Sequence, residues 1–238
     1  MKKAMIVLSG GQDSATCLAW ALEEFDIVGA ITFDYGQRHK KEIIAASRMC
    51  STVGVPWQCH DVSCLKSNPL SSLTNETLDT SSLASGSELP SSFLPARNLI
   101  FLTQAAAIAI GQGVETLITG VCQTDYNGYP DCRRETMNAL EHVISLGCAG
   151  SLQGNFEIIT PLMFLSKAET VLLASKKKRG VELVAMSWTC YEGGHAPCGQ
   201  CPACKMRAEG FAEAKFIDPV YGYKEAKDEE SRDSFFSL

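Results

Sequence analysis

SGGQDS (Ser9–Ser14) stands directly behind the apolar run AMIVL (Ala4–Leu8) and at the head of the helical pattern SATCLAWALEE (Ser14–Glu24). Two adjacent glycines between a strand end and a helix start let the backbone approach an anion with no Cβ in the way. The helix N-terminus adds unpaired N–H groups and the positive end of its dipole, and Ser9 and Ser14 add hydroxyl donors. Asp13 repels bare phosphate, so its presence implies either a cation such as Mg²⁺ or an N-capping role. The loop is not a Walker A motif, because it lacks GxxxxGK[ST] and has no lysine. Nor does its glycine spacing match the dinucleotide GxGxxG, although Asp34 ends the second strand where that fold keeps its ribose-binding acid. The bland alternative is a tight turn with an Asp or Ser cap.

Outward from this loop, short apolar strands alternate with helical patterns. IVGAITF (Ile27–Phe33) precedes a helix from about Lys40 to Val53, and WQCHDV (Trp57–Val62) is the next strand. The helix NLIFLTQAAAIAI leads to ETLITG (Glu115–Gly120); a helix near Arg134–Leu146, the strand FEIIT and a helix from about Ser166 follow. This alternation predicts an α/β fold with a doubly wound, mainly parallel sheet covered by helices on both faces. Ligands in such sheets bind at the carboxyl ends of the strands, where SGGQDS lies. Ser63–Ser92, rich in Ser, Thr, Asn and Pro, reads as a solvated loop or weak helix inserted in the sheet, or as a lid over the site. The charged tail after Pro219 reads as peripheral.

Composition limits the function classes. The 238 residues are 45% hydrophobic, enough for one large domain or a domain with an appendage. No stretch approaches the ~18 apolar residues that span a bilayer. MKKAMIVLSGG mimics a signal peptide, but its apolar run is short and has no small-residue cleavage site, so a cytoplasmic protein without membrane contact is expected. A net charge of −6 argues against broad nucleic-acid binding. The basic run KKKR (Lys176–Arg179) reads as helix-end cations before Gly180.

Four of the 11 cysteines crowd into TCYEGGHAPCGQCPACKMR. Cys190, Cys198, Cys201 and Cys204, with two CxxC steps, suit tetrahedral Zn²⁺, and closed Cys₄ coordination makes that metal structural. A catalytic zinc, an iron–sulfur cluster, or His195 in place of Cys190 are the alternatives. The other seven cysteines read as small buried or half-buried side chains, with Cys122 and Cys132 as candidates for catalytic use.

GVCQTDYNGYPDCRRE (Gly120–Glu135) also opens onto the carboxyl edge, crowding aspartates, tyrosines and arginines around turn signals. Tyrosines can stack on a planar heterocycle, a carboxylate can accept from two ring-edge N–H groups, and an arginine can pair with a carboxylate or phosphate. An ordinary polar loop is the alternative.

SGGQDS resembles the signature of the PP-loop ATP pyrophosphatase superfamily. Together with FDYGQRH (Phe33–His39), LPARN (Leu94–Asn98), DYNGYPDCR, TPLMFLSKAE and the cysteine cluster, it resembles the QueC family, in the family's order from Ser9 to Cys204. That resemblance implies an ATP-dependent ligase making 7-cyano-7-deazaguanine from 7-carboxy-7-deazaguanine and ammonia, through an adenylated carboxylate and then an activated amide, in queuosine biosynthesis. It implies ATP as co-substrate with Mg²⁺, bound at Leu8, Ser9, Gly10, Gly11, Gln12, Asp13, Ser14 and the backbone of Phe33. It further implies catalytic Asp13, Arg97 and Lys167, with substrate contacts from Gln37, Arg38, Asp125, Tyr126, Tyr129, Asp131 and Arg133, a structural zinc, and a homodimer. Residues 1–184 are expected to form the ATP-binding α/β domain and 185–238 a zinc-binding segment. LPARN departs from the family in having Ala96 where glycine is commoner. The competing readings are another PP-loop enzyme such as a transfer-RNA thiolase, which needs a basic RNA surface, and a non-enzymatic, zinc-stabilised ATP sensor, which does not need the crowded DYNGYPDCR loop.

Overall fold

A computed structural model of the chain describes residues 1–80, 83, 89–124 and 129–220. Five strands form one sheet: β1 (Lys3–Val7), β2 (Asp26–Asp34), β3 (Trp57–Asp61), β4 (Thr116–Thr119) and β5 (Glu157–Ile159). Their spatial order is β3-β2-β1-β4-β5 and every pair is parallel. The chain winds outward from β1 to β3, then crosses back to lay β4 on the other flank of β1, with Met5, Ile6 and Val7 opposite Leu117, Ile118 and Thr119. The strand order therefore reverses between β1 and β4, and the crevice beyond their carboxyl ends is where this topology places a ligand.

Side-chain alternation decides which helix covers which face. Ala4, Ile6, Leu8 and Ile118 pack with α1 (Gln12–Glu24), α2 (Lys41–Val53), α5 (Lys167–Ser175) and α6 (Gly180–Met186). Met5, Ile31, Phe33, Leu117 and Ile158 turn the other way, against α3 (Arg97–Gly111) and α4 (Arg134–Gly147). Both faces are thus filled, as a doubly wound sheet requires. Truncating a fully buried side chain such as Ile6 to alanine removes about 2–5 kcal/mol. The last helix, α7 (Pro202–Ala214), sends Phe211 into the first of these cores.

Three expectations are corrected. KKKR does not occupy a last helical turn: α5 ends at Ser175, and the run links it to α6. Lys177 pairs with Glu23 and Glu24 at the end of α1, and Arg179 pairs with Glu182. The Ser-rich segment is solvated only in part over its described length: Ser63–Ser67 forms a short 3-10 helix with no buried residue and Glu76 and Thr77 are exposed, but Ser71, Ser72, Leu73, Ser91 and Ser92 are buried. Its hydroxyls are satisfied locally, with Ser91 Oγ donating to Ser72 Oγ at 3.1 Å. Cys59 and Cys64 are exposed rather than buried. Among the described residues no helix is long and apolar enough to cross a membrane. The tail from 221 onward lies outside the described residues.

Candidate active site

The phosphate loop is shaped by its own side chains. Gly10 N–H donates to Ser14 Oγ at 3.0 Å and Gly11 N–H to Ser9 Oγ at 3.2 Å, while Ser14 Oγ donates back to the Gly11 carbonyl at 3.0 Å. Gly11 is the N-cap of α1 and no side chain caps the helix, so the Asp or Ser cap of the bland alternative is not formed. The first-turn N–H groups consequently face the crevice, the arrangement that favours an anion. The two glycines do different things. Gly10 has φ of +92° and sits so tightly against α2 that a Cβ would fall 1.9 Å from the Glu42 carbonyl oxygen. Gly11 would carry a Cβ in ordinary contact, 3.5 Å from Ser9 Oγ, but it lines the cavity.

That cavity, of about 270 Å³, opens at the β1–β4 switch. From the loop it is lined by Leu8, Ser9, Gly11, Gln12, Asp13 and Ser14, and from the end of β2 by Phe33, Tyr35, Gln37, Arg38, His39 and Glu42. Across it, Gly120 brings the β4 loop down onto α1, where a Cβ would stand 3.2 Å from Ser14 N. The N-terminus of α5 supplies Lys167. Ser166 and Glu169 form a reciprocal capping box there, Ser166 Oγ accepting from Glu169 N–H at 3.2 Å and Glu169 Oε2 from Ser166 N–H at 2.8 Å. The box fixes the helix start, and Lys167 Nζ lies 2.5 Å from Asp13 Oδ2. The other oxygen, Asp13 Oδ1, is buried without a hydrogen-bond partner among the described residues, as is Gln12 Nε2.

Arg97 is the first residue of α3 and lines the inner wall. Burial works against its charge, but Tyr35, Tyr129, Asp131 and Cys132 around it raise its pKa above the ordinary value. The residue before it, Ala96, holds a left-handed φ of +61°, the conformation glycine adopts freely, which accounts for a small residue in LPARN. The N-terminus of α3 is capped from outside: Asp131 Oδ2 accepts from Asn98 N–H at 3.0 Å and from Asn98 Nδ2 at 3.1 Å. Tyr129 is set by its hydroxyl on Ser92 Oγ at 2.8 Å and by stacking with Phe93. Phe33 stacks on Phe101 with ring centroids 4.5 Å apart.

The cysteine segment forms the far wall. The Sγ atoms of Cys190, Cys198, Cys201 and Cys204 all lie within 4.8 Å of one another. Backbone N–H groups of Glu192 and Cys198 donate to Cys190 Sγ, and those of Gln200 and Cys201 to Cys198 Sγ, which favours thiolates. His195 is exposed and is not among this group. The cluster reaches the phosphate loop directly, because Trp188 N–H donates to the Gly10 carbonyl at 2.9 Å and the Trp188 indole to the Cys190 carbonyl at 2.9 Å. Arg207 of α7, buried beside the cavity, clamps the segment: it pairs twofold with Asp218 at 2.6 and 2.8 Å and donates to Ser187 and Thr189.

A family model described as "Queuosine biosynthesis protein QueC" matches residues 3–215. The chain belongs to the QueC family. Its relatives include the 7-cyano-7-deazaguanine synthases of Chromobacterium violaceum, 46% identical over 92% of this chain and 93% of the relative, and of Laribacter hongkongensis, 48% identical over 91% and 93%. Among solved structures, a 4-thiouridine synthetase–RNA complex with bound ATP covers 89% of this chain and 53% of its own length at 17% identity, with a TM-score of 0.49. Neither a transfer-RNA thiolase nor a non-enzymatic sensor is supported by the family match, and the chain is an enzyme of queuosine biosynthesis.

In this QueC-family chain the residues expected at the site divide into three groups. Leu8, Ser9, Gly11, Gln12, Asp13, Ser14, Phe33, Gln37, Arg38, Arg97, Tyr129 and Lys167 line one cavity, with Gly10 packed behind them. Arg38 is largely engaged, donating to the carbonyls of Glu76 and Leu78 at 2.8 and 3.1 Å and pairing with Glu192 at 3.3 Å. Asp131 and Arg133 do not line the cavity: the first caps α3 and the second is exposed at the start of α4. Asp125 and Tyr126 lie outside the described residues. Residues not singled out from sequence include Tyr35, His39, Glu42, Asn98, Trp188 and Tyr191. FDYGQRH and LPARN pointed at three of them, but nothing local marks Glu42 or Trp188, which the packing of α2 and the cysteine segment carries to the loop.

Proposed function

We propose that this enzyme is an ATP-dependent carbon–nitrogen ligase that converts 7-carboxy-7-deazaguanine and ammonia to 7-cyano-7-deazaguanine. One observation carries the reading. An uncapped helix N-terminus, a Lys167–Asp13 pair and a half-buried Arg97 meet in a single cavity, in a chain from the family whose relatives bear that name. Carboxylate and amide oxygens leave only when joined to phosphate, so each of two steps needs an ATP cleaved between its α- and β-phosphates. The α1 N–H groups, Ser9 and Gln12 would bind the phosphates, and Lys167 and Arg97 would stabilise charge developing at the α-phosphate. The backbone at Phe33 would meet adenine. Tyr129, Gln37 and Arg38, with Asp125 and Tyr126, are the residues proposed for the heterocycle; Asp131 would act by positioning Asn98 and Arg97, and Arg133, exposed outside the cavity, is not assigned to it.

The unpartnered Asp13 Oδ1 suits Mg²⁺, which takes one or two carboxylate oxygens along with substrate phosphates. Bound there, Mg²⁺ would neutralise phosphate charge. Four thiolates at about 2.3 Å from Zn²⁺ stand about 3.8 Å apart, and the Cys198 and Cys204 sulfurs are 4.0 Å apart. We assign the cluster to one structural Zn²⁺, holding Trp188 against the loop. We also propose a division into a nucleotide-binding part, 1–184, and a metal-bound part, 185–238, and a cytoplasmic homodimer without direct nucleic-acid contact. Val143 and Leu146, both exposed on α4, offer that dimer an apolar stripe.

Incubating the purified protein with Mg-ATP, ammonium and 7-carboxy-7-deazaguanine, and following products by mass spectrometry, tests the reading. The nitrile with AMP and pyrophosphate is expected. ATP cleavage without any nitrile would remove the substrate assignment.

A further inference from the structure

The reaction consumes nitrogen as ammonia, whereas at neutral pH ammonium predominates, so the site needs a group that holds the cation and takes its proton. Two described carboxylates line the cavity, Asp13 and Glu42. Asp13 is neutralised by Lys167 at 2.5 Å. Glu42 makes no ion pair among the described residues, although it lies within the influence of Arg97 and is hydrogen-bonded by Gln37. Its place is fixed by the fold: it sits in the first turn of α2, whose backbone is pressed against Gly10 of the phosphate loop.

Resting on the ligase reading above, we propose that Glu42 binds ammonium and acts as the general base that releases ammonia beside the activated carboxyl group. The Glu42 carboxylate takes one proton from ammonium. The freed nitrogen lone pair attacks the acyl carbon, the C–N bond forms, the attached nitrogen loses a second proton to solvent, and the bond from that carbon to the phosphate-linked oxygen breaks with AMP leaving on its electron pair, which yields the amide. The same nitrogen must shed its remaining protons when the activated amide collapses to the nitrile, and Glu42 stands where it can accept one of them after passing the first to solvent. Burial of Glu42 lifts its pKa to about 7, so that near neutrality it accepts a proton readily and is still partly ionised. The charged and titratable groups that bear on it are Arg97, from α3, which lowers that value, and Tyr35, from the end of β2.

The two cysteines that line the cavity are engaged. Cys122 Sγ donates to the Leu165 carbonyl, and Cys132 Sγ accepts from Asn98. The His39 ring packs against Gly193 and the edge of Trp188, and its Nδ1 is buried with no hydrogen-bond partner among the described residues; burial lowers its pKa, so it holds a proton less readily than Glu42 near neutrality.

The test separates two steps in E42Q and E42D. Acid-dependent ATP–pyrophosphate exchange reports adenylation without ammonia. Single-turnover amide formation with ammonium reports the proton step. For E42Q the expected result is amide formation slower by 10²–10⁴, with exchange reduced less than tenfold. The residual rate should climb with pH as free ammonia replaces ammonium, and E42D should recover part of the loss. Equal loss of exchange and amide formation would make Glu42 a nucleotide or Mg²⁺ ligand and overturn the inference. So would E42Q amide formation at the wild-type rate near neutral pH. Wild-type protein that performs neither step with this acid would instead sink the ligase reading and take the inference with it.

Discussion

Adjacent glycines in the phosphate loop are expected to respond oppositely to the same added methyl group. At Gly10 an alanine must hold φ near +92°, which L residues rarely adopt, at roughly 1–3 kcal/mol. Its Cβ would also meet the Glu42 carbonyl oxygen at 1.9 Å, so α2 must retreat by well over an ångström, an overpacking term of about 1–3 kcal/mol or more. Gly10→Ala should therefore destabilise the fold by about 2–6 kcal/mol, or a Tm lowered by roughly 5–20 °C in a chain of this size. Gly11 has φ of −77°, open to any residue, and its Cβ would make only ordinary contacts at 3.5 and 3.7 Å. Gly11→Ala should keep the fold within about 0.5 kcal/mol, yet place a methyl group where a phosphate oxygen is to sit. A tenfold or greater loss of ATP affinity is expected, about 1.4 kcal/mol. Thermal denaturation and nucleotide titration of both variants check the pair. A Gly11→Ala protein as unstable as Gly10→Ala, or one binding ATP normally, would refute the division of labour.

Four further outcomes are expected. Purified protein should contain one zinc per chain by elemental analysis; a strong chelator, or Cys201→Ser, should loosen the 188–204 segment, read as increased hydrogen exchange around Trp188. Asp218→Asn leaves the buried Arg207 charge half-satisfied and should cost about 3–5 kcal/mol in a denaturant midpoint comparison. Glu42 has a folded-state pKa raised from 4.5 to about 7, so its protonated form stabilises the fold below pH 4.5 and that contribution is lost as pH rises towards 7. Relative to E42Q, wild-type stability should fall across that window by at most about 3 kcal/mol, and by about 1–2 allowing for solvent at the cavity; a flat difference would count against the raised pKa. Ala96→Gly relieves a left-handed φ worth about 1–2 kcal/mol but frees the unfolded chain by somewhat less, so a gain in Tm of up to a few degrees is expected.

Local chemistry makes much of this legible in the sequence. Strand–helix alternation carries its own periodicity, so the parallel sheet, the helix spans and the glycine turn at the head of α1 follow from neighbours in the chain. The C-x7-C-x2-C-x2-C spacing is likewise written within a few residues, and the four sulfurs converge as that spacing demands. Asp131 illustrates what such reasoning misses: a carboxylate in a polar loop looks free to read a ligand edge, but it caps a helix that begins more than thirty residues earlier. KKKR likewise looks like a helix end, while its Lys177 serves the end of α1.

SGGQDS and its flanks determined by themselves that a glycine turn joins a strand end to a helix N-terminus suited to an anion, because φ, hydrogen-bonding capacity and dipole belong to those residues alone. Only the tertiary structure decided that Lys167 neutralises Asp13, that Glu42 reaches the same cavity with no ion pair among the described residues, and that Trp188 braces Gly10. Those contacts join segments 32 to 178 positions apart, through the return of the chain from β3 to β4 and the docking of α2 and the cysteine segment on the loop. The sheet order sets those juxtapositions, and no local pattern encodes it.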